Sequence, residues 1–338
     1  MSDGGKSETF LALRVADGEH GGFNQTVVER RLDELPAGEL LVEVDYSSLN
    51  YKDALSAQGN RGVTRSYPHT PGVDAAGRVL VDSSGSFQPG DPVLVCGYDL
   101  GMNTDGGLAQ RIRVPSAWAC RCPAGLSLRE AMIYGTAGFT AALCLEKLQL
   151  LGAQPGDGEV AVTGASGGVG SFSIALLHYL GFSVVALTGK LEHSEKLAAL
   201  GARRVIDRDT LQELVRKPLA KPQWAHAIDS IGGDYLFSVI KSIQYGGSVA
   251  ACGLAAAAEF AGNVFPFILR NVNLLGVDSV ELPRSQKQRV WDKLAGEWKL
   301  PGLDTMAEEI SLAQTPEYLT RLYNGHAIGR YLVNLNAT

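Results

Sequence analysis

Val160-Ala-Val-Thr-Gly-Ala-Ser-Gly-Gly-Val-Gly170 runs an apolar strand-like stretch into four glycines, Gly164, Gly167, Gly168 and Gly170. Residues 171–180 follow as a helix with a small-residue face. Such a turn lets backbone N–H groups approach a pyrophosphate, which then sits at the positive end of the helix. The spacing is G-x-x-G-G-x-G, a loose relative of the dinucleotide fingerprint G-x-G-x-x-G, and alone it can be purely structural. Its neighbours decide the reading.

The next apolar run, Ser183-Val-Val-Ala-Leu-Thr188, ends in Thr188-Gly189-Lys190. An NAD site usually places an acid about 20 residues after the glycines, where it binds the ribose 2′-hydroxyl. Here that place holds a hydroxyl, a glycine and a lysine. A carboxylate would repel a 2′-phosphate, whereas Thr188 and Lys190 donate to one, and Arg208 after the following strand adds a second cation. The pattern predicts NADPH rather than NADH. Read alone, Lys190 is equally a solvated loop lysine.

The chain has 338 residues, enough for two domains with separate cores, and 40 glycines, which suits an α/β enzyme with many tight turns. Its net charge of −6 and lack of a basic run argue against nucleic acid as a partner. Met1 to Phe10 is polar, and no apolar run is long enough to span a bilayer, so a cytoplasmic protein with no membrane partner is expected. Five cysteines are scattered through apolar segments and read as buried free thiols. Cys120-Arg-Cys122 matches no zinc or redox spacing. The histidines fall in no triad or ligand spacing, and Ser166 lacks the flanking glycines of a hydrolase nucleophile.

The fold class is α/β. The first part reads as strands, with Glu39-Leu-Leu-Val-Glu-Val-Asp45 alternating and short runs at 76–81 and 91–96 bounded by Gly and Pro. Residues 128–148 have helical spacing interrupted by Gly135 and Gly138. From Val160 onward strand and helix alternate, as a doubly wound parallel sheet requires. Strands are expected at 160–164, 183–188, 204–207, 225–230, 247–252 and 272–277. Helices are expected near 168–180, 193–200, 210–216, 233–243 and 263–271. Gly246-Gly247 reads as a helix exit into a buried strand. Tyr331-Leu-Val-Asn-Leu335 reads as a closing strand that returns to the first part.

Three segments, Ser47-Ser-Leu-Asn-Tyr-Lys-Asp-Ala-Leu55, Pro71-Gly-Val-Asp-Ala-Ala-Gly77 and the turn at 163–170, resemble the medium-chain dehydrogenase/reductase superfamily. With Gln88-Pro-Gly-Asp-Pro-Val93, the resemblance covers nearly the whole length. The chain looks most like the zinc-free quinone oxidoreductase and enoyl reductase branch. Ala250-Ala-Cys-Gly-Leu254, Pro266-Phe-Ile-Leu-Arg-Asn-Val272 and Gly276-Val-Asp-Ser279 are similar to the NADPH-dependent acrylyl-CoA reductases within it. The resemblance implies a GroES-like β-rich catalytic domain, 1–134 and 281–338, split around a Rossmann NADPH-binding domain, 135–280. Zinc-dependent members carry Cys and His where this chain has Asn50 and Val73, which offer neither thiolate nor imidazole to Zn²⁺. No metal site is expected, and alcohol oxidation loses its Lewis acid.

What remains is reduction of an activated C=C bond, which needs donors for an enolate oxygen and a proton source. Tyr51 is the candidate acid, since a phenol stays protonated at neutral pH. Equally, it packs beside the nicotinamide as part of the cofactor site. Asn50 either donates to a thioester oxygen or caps the loop. The resemblance places Ser166, Gly167, Gly168 and Val169 at the pyrophosphate. It puts Thr188, Gly189, Lys190 and Arg208 at the 2′-phosphate, and Leu254, Ile268 and Ser279 around the nicotinamide. It implies a short acyl-CoA substrate, most simply acryloyl-CoA, and a homodimer joined through an edge at 271–279. Arg61, Arg65, Arg270 and Arg284 are candidate partners for CoA phosphates. A quinone oxidoreductase of the same fold and a non-catalytic NADPH-binding sensor are the alternatives.

Overall fold

The computed structural model describes residues 8–18 and 21–337, so most of the polar start read above lies outside the described residues. The chain forms two compact units. The first comprises Met1–Thr136, Val280–Gly296 and Pro301–Thr338, and the second Ala137–Ser279 and Glu297–Leu300.

The first unit opens with β1 (Thr9–Asp17) and β2 (Phe23–Arg31), an antiparallel pair. Then come β3 (Leu40–Ser48), helix α1 (Tyr51–Ala57), β4 (Asp74–Asp82), β5 (Pro92–Cys96), β6 (Arg111–Val114), β7 (Ala119–Arg121) and the start of α2 (Leu128–Leu150). In β3, alternate positions Leu40, Val42 and Val44 are fully buried, as the alternation predicts. They pack with Leu13, Val79, Val93 and Ile112 in one core.

The second unit carries six parallel strands: β8 (Glu159–Thr163), β9 (Ser183–Thr188), β10 (Ala202–Asp207), β11 (Trp224–Asp229), β12 (Ile243–Ala251) and β13 (Asn273–Gly276). Their order is β10-β9-β8-β11-β12-β13, the doubly wound arrangement whose direction reverses between β8 and β11. Helices α3 (Gly168–Tyr179), α4 (Ser194–Ala199), α5 (Gly233–Ile240) and α6 (Phe265–Arg270) fall between them. Every residue of α3 from Gly170 to Leu177 is buried, because Gly, Ser and Ala let the helix lie close to its surroundings. The core under the sheet includes Ala161, Val185, Leu187, Ala227 and Val249.

The chain then adds α7 (Arg284–Ala295), β14 (Ala307–Ser311), α8 (Thr315–Tyr323) and β15 (Arg330–Asn334) to the first unit. Strand β15 lies parallel to β14 and antiparallel to β3, giving the order β14-β15-β3-β4-β5-β7 with β6 also on β3.

Two expectations are corrected. Residues 210–216 do not form an α-helix; a 3-10 segment runs over Arg208–Leu214, opened by the Asp207 carboxylate accepting from the Asp209 N–H at 2.9 Å. Gly246-Gly247 is not a helix exit: α5 ends at Ile240 and the glycines lie inside β12, where the pairing with β11 shifts register and Gly246 has φ 78°.

Candidate functional site

In the second unit, β8 feeds through Gly164 and Ser166 into Gly167, which caps α3 with extended backbone. The first-turn N–H groups of α3 have no partner inside the helix and are directed at whatever lies ahead of it. Ser166, Gly167, Gly168 and Val169 therefore lie at the N-terminal end of α3, where unpaired N–H groups can receive an anion. At the strand reversal, the Thr163 hydroxyl donates to buried Asp229 at 2.6 Å and accepts from the Ser230 N–H at 3.1 Å. Burial pushes the Asp229 carboxyl above its ordinary range, against the hydrogen bonds it accepts. This contact ties the ends of the two strands that flank the reversal.

Thr188 is buried at the end of β9, and its hydroxyl lies 3.3 Å from that of Ser166 and accepts the Lys190 N–H at 3.1 Å. One hydroxyl thus joins the glycine turn to the loop that sequence reasoning assigned to a 2′-phosphate. Arg208 lies across Gly189: a Cβ there would stand 2.8 Å from the Arg208 Nε. That Nε is buried and has no hydrogen-bond partner among the described residues. Burial lowers the Lys190 ammonium from its ordinary pKa; Glu192 opposes this, and the positive charge of Arg208 adds to it. Two cations, an orphaned guanidinium N–H and space where a side chain would intrude fit a nucleotide carrying a 2′-phosphate.

Leu254 and Ile268 are 66% and 69% exposed, and Leu254 follows the end of β12. Ser279 instead accepts a hydrogen bond from the Thr140 hydroxyl at 3.0 Å.

In the first unit, Asn50 caps α1 and its N–H donates to the Asp53 carboxylate at 2.7 Å. Tyr51 opens the helix with its side chain about half exposed. The Asn50 amide is committed: Nδ2 donates to Asp74 at 2.7 Å and to the Ser48 carbonyl at 3.2 Å, and Oδ1 accepts from Arg330 at 3.0 Å. Of the two roles open for Asn50, the geometry fits the capping and positioning one.

Asp74 is fully buried and accepts from Ser48 at 2.7 Å and from the Thr136 N–H and hydroxyl at 2.9 and 2.6 Å. Arg330, also buried, lies 3.5 Å from it and donates to the Leu49 carbonyl at 2.8 Å. Asp53 accepts from the Gly72 and Val73 N–H groups, yet burial carries its carboxyl up to about 7. Helix α2 breaks at Gly135, with φ 49° and ψ −159°, where a Cβ would stand 2.3 Å from Arg330 and from the Ser48 hydroxyl. The break makes room for the cluster. Sequence reasoning missed Arg330 and Thr136; an arginine opening an apolar strand is the one signal that marked the first.

Arg270 donates to the Lys241 and Ala220 carbonyls, and Arg61 to the Arg65 carbonyl while lying 4.9 Å from the Tyr67 ring. Among the described residues no three His, Cys, Asp or Glu side chains converge as a metal-binding group. None of the helices there is long and apolar enough to cross a membrane.

The second unit's doubly wound sheet with its glycine-turn helix is a dinucleotide-binding architecture, and the first unit is β-rich with a buried polar cluster. The alcohol dehydrogenase GroES-like domain profile matches residues 36–124, and the zinc-binding dehydrogenase profile matches residues 168–296. Acrylyl-CoA reductase AcuI of Ruegeria pomeroyi is 42% identical over 97% of this chain and 100% of its own length. Bacillus subtilis YhfP, whose name assigns quinone oxidoreduction provisionally, is 43% identical over 90% of this chain and 92% of itself. Its structure with NAD bound superposes with a TM-score of 0.94, covering 97% of this chain and 100% of that one, at 41% identity. The Salmonella enterica yhdH oxidoreductase in complex with NADP gives 0.93, at 44% identity over 96% of this chain and 100% of that one. The chain belongs to the medium-chain dehydrogenase/reductase family and is an oxidoreductase.

Proposed function

We propose that this chain is an NADPH-dependent reductase of the C=C bond of a short 2-enoyl-CoA, with acryloyl-CoA giving propanoyl-CoA as the simplest case. The observation that carries the cofactor choice is the paired Lys190 and Arg208, with Gly189 where an NAD site has its acid. Full-length similarity to an acrylyl-CoA reductase supports the substrate class.

When bound, NADPH supplies hydride to the β-carbon, which conjugation to the thioester carbonyl makes electrophilic. The glycine turn and the first turn of α3 hold the pyrophosphate, and Thr188, Lys190 and Arg208 hold the 2′-phosphate. Leu254, Ile268 and Ser279 border the nicotinamide end. Tyr51 donates the proton to the α-carbon, and its position at the first turn of α1 is fixed by the Asn50 cap. Asn50, Asp74 and Arg330 act as a positioning set: each is tied to the others, and none has to move during the reaction. The second unit's sheet has edge strands β10 and β13, and β13, within the segment 271–279, is the edge through which two copies pair as a homodimer.

The test is spectrophotometric loss of NADPH or NADH with acryloyl-CoA, crotonyl-CoA and 1,4-benzoquinone side by side. Fast turnover of acryloyl-CoA with NADPH supports the reading. Turnover of benzoquinone alone moves the chain to quinone reduction, which the similarity to YhfP favours. NADPH binding without any turnover makes it a sensor.

A further inference from the structure

We infer that Tyr235 sets the preference for NADPH by acting as the shelf on which Arg208 rests. This rests on the NADPH reading above and adds a residue to it that no glycine motif or charge pattern marks. The Arg208 guanidinium carbon lies 5.4 Å from the centre of the Tyr235 ring. The bare backbone of Gly189 is a second close neighbour, where a Cβ would intrude to 2.8 Å from Nε and 3.1 Å from Cζ. The guanidinium thus has an aromatic ring and a bare peptide as close neighbours, while its buried Nε has no acceptor among the described residues.

The ring is itself held. The Tyr235 hydroxyl donates to the Asp209 carboxylate at 3.1 Å and accepts from the Gln212 amide at 3.0 Å. Those two residues belong to the 3-10 segment that begins at Arg208, whereas Tyr235 lies in the first turn of α5. The arrangement therefore fixes an arginine from one connection against a ring from another. An arginine side chain ordinarily loses much rotamer freedom on binding a phosphate, and one already confined loses less. The shelf should matter for the 2′-phosphate and little for the rest of the nucleotide.

Titration calorimetry of the full chain with 2′,5′-ADP and 5′-AMP tests this without turnover, comparing wild type, Tyr235→Leu and Tyr235→Phe. The expected result is a loss of about three- to tenfold in 2′,5′-ADP affinity for Tyr235→Leu. For 5′-AMP the change should be under about twofold, and Tyr235→Phe, which keeps the ring but not the hydroxyl's two hydrogen bonds, should fall between wild type and Tyr235→Leu for 2′,5′-ADP. In steady-state assays the Leu variant should raise KM for NADPH by more than it lowers kcat. An equal loss for both nucleotides, or none for either, overturns the role of Tyr235 while leaving the NADPH reading intact. A wild type that binds the two nucleotides alike overturns the NADPH reading and this inference together.

Discussion

Arg330, on the last strand, meets Asp74, at the start of β4, at 3.5 Å, with both side chains buried. Asp74 also accepts from Ser48, Asn50 and Thr136, so the carboxylate is satisfied on both oxygens. An ion pair of this kind adds little net stability compared with apolar residues, but removing one partner strands the other.

Arg330→Met should therefore destabilise the protein by about 3–5 kcal/mol, because Asp74 keeps its charge without a cation. Guanidinium unfolding of wild type and variant measures this. A change under about 1 kcal/mol would show that water or a shifted side chain replaces the guanidinium at little cost.

Gly135→Ala places a methyl group 2.3 Å from Arg330 and from the Ser48 hydroxyl, at a φ that disfavours alanine. A loss of about 3 kcal/mol or more is expected from strain and displacement together. The same substitution at Gly152, where φ is also positive but nothing lies within 4 Å, is an uncrowded comparison and should cost less. A loss at Gly152 as large as that at Gly135 would show that crowding of the cluster adds nothing.

Asp53 gives a pH dependence of defined sign. Its carboxyl is near 7 in the fold against an ordinary value of 3.8, with burial the main cause. Between those values the folded state binds more protons than the unfolded one, so stability falls as pH rises through that window and levels off above it. Asp53→Asn cannot ionise. The stability of wild type relative to this variant should decline from pH ~4 to ~7, as read from unfolding midpoints at constant ionic strength. A difference that stays flat across the window contradicts the elevated value.

Tyr51→Phe separates proton donation from packing. A proton donor lost at this position should lower kcat on a 2-enoyl-CoA by about a hundredfold. NADPH affinity, measured by quenching or calorimetry, should barely move. A full rate with phenylalanine would leave Tyr51 a packing residue.

Much of this molecule was legible from local pattern. The six parallel strands fall within a few residues of the apolar runs, because a sheet flanked by helices needs continuous apolar stretches and the intervening glycines mark their ends. The closeness of Gly189 and Arg208 after β9 matches a loop that stood out because an acid is missing at a fixed distance from the glycines. The Asn50–Asp74–Arg330 cluster was not, since its members come from three distant segments and each looks ordinary in its own. Tyr235 was hidden for the same reason. The 3-10 segment at 208–214 was misread as an α-helix because its apolar spacing, Leu211 and Leu214, serves either helix.

The position of β15 has a consequence for how the protein is made. Strand β15 lies between β14 and β3, and it carries the only cation seen against Asp74 among the described residues. During translation, all six strands of the second unit leave the ribosome before Arg330 is synthesised, so that unit can reach its final pairing first. The first unit, although its synthesis starts earlier, holds its sheet open and its buried carboxylate uncompensated until the final strand arrives. The part of the chain that is made first is therefore the part that is finished last.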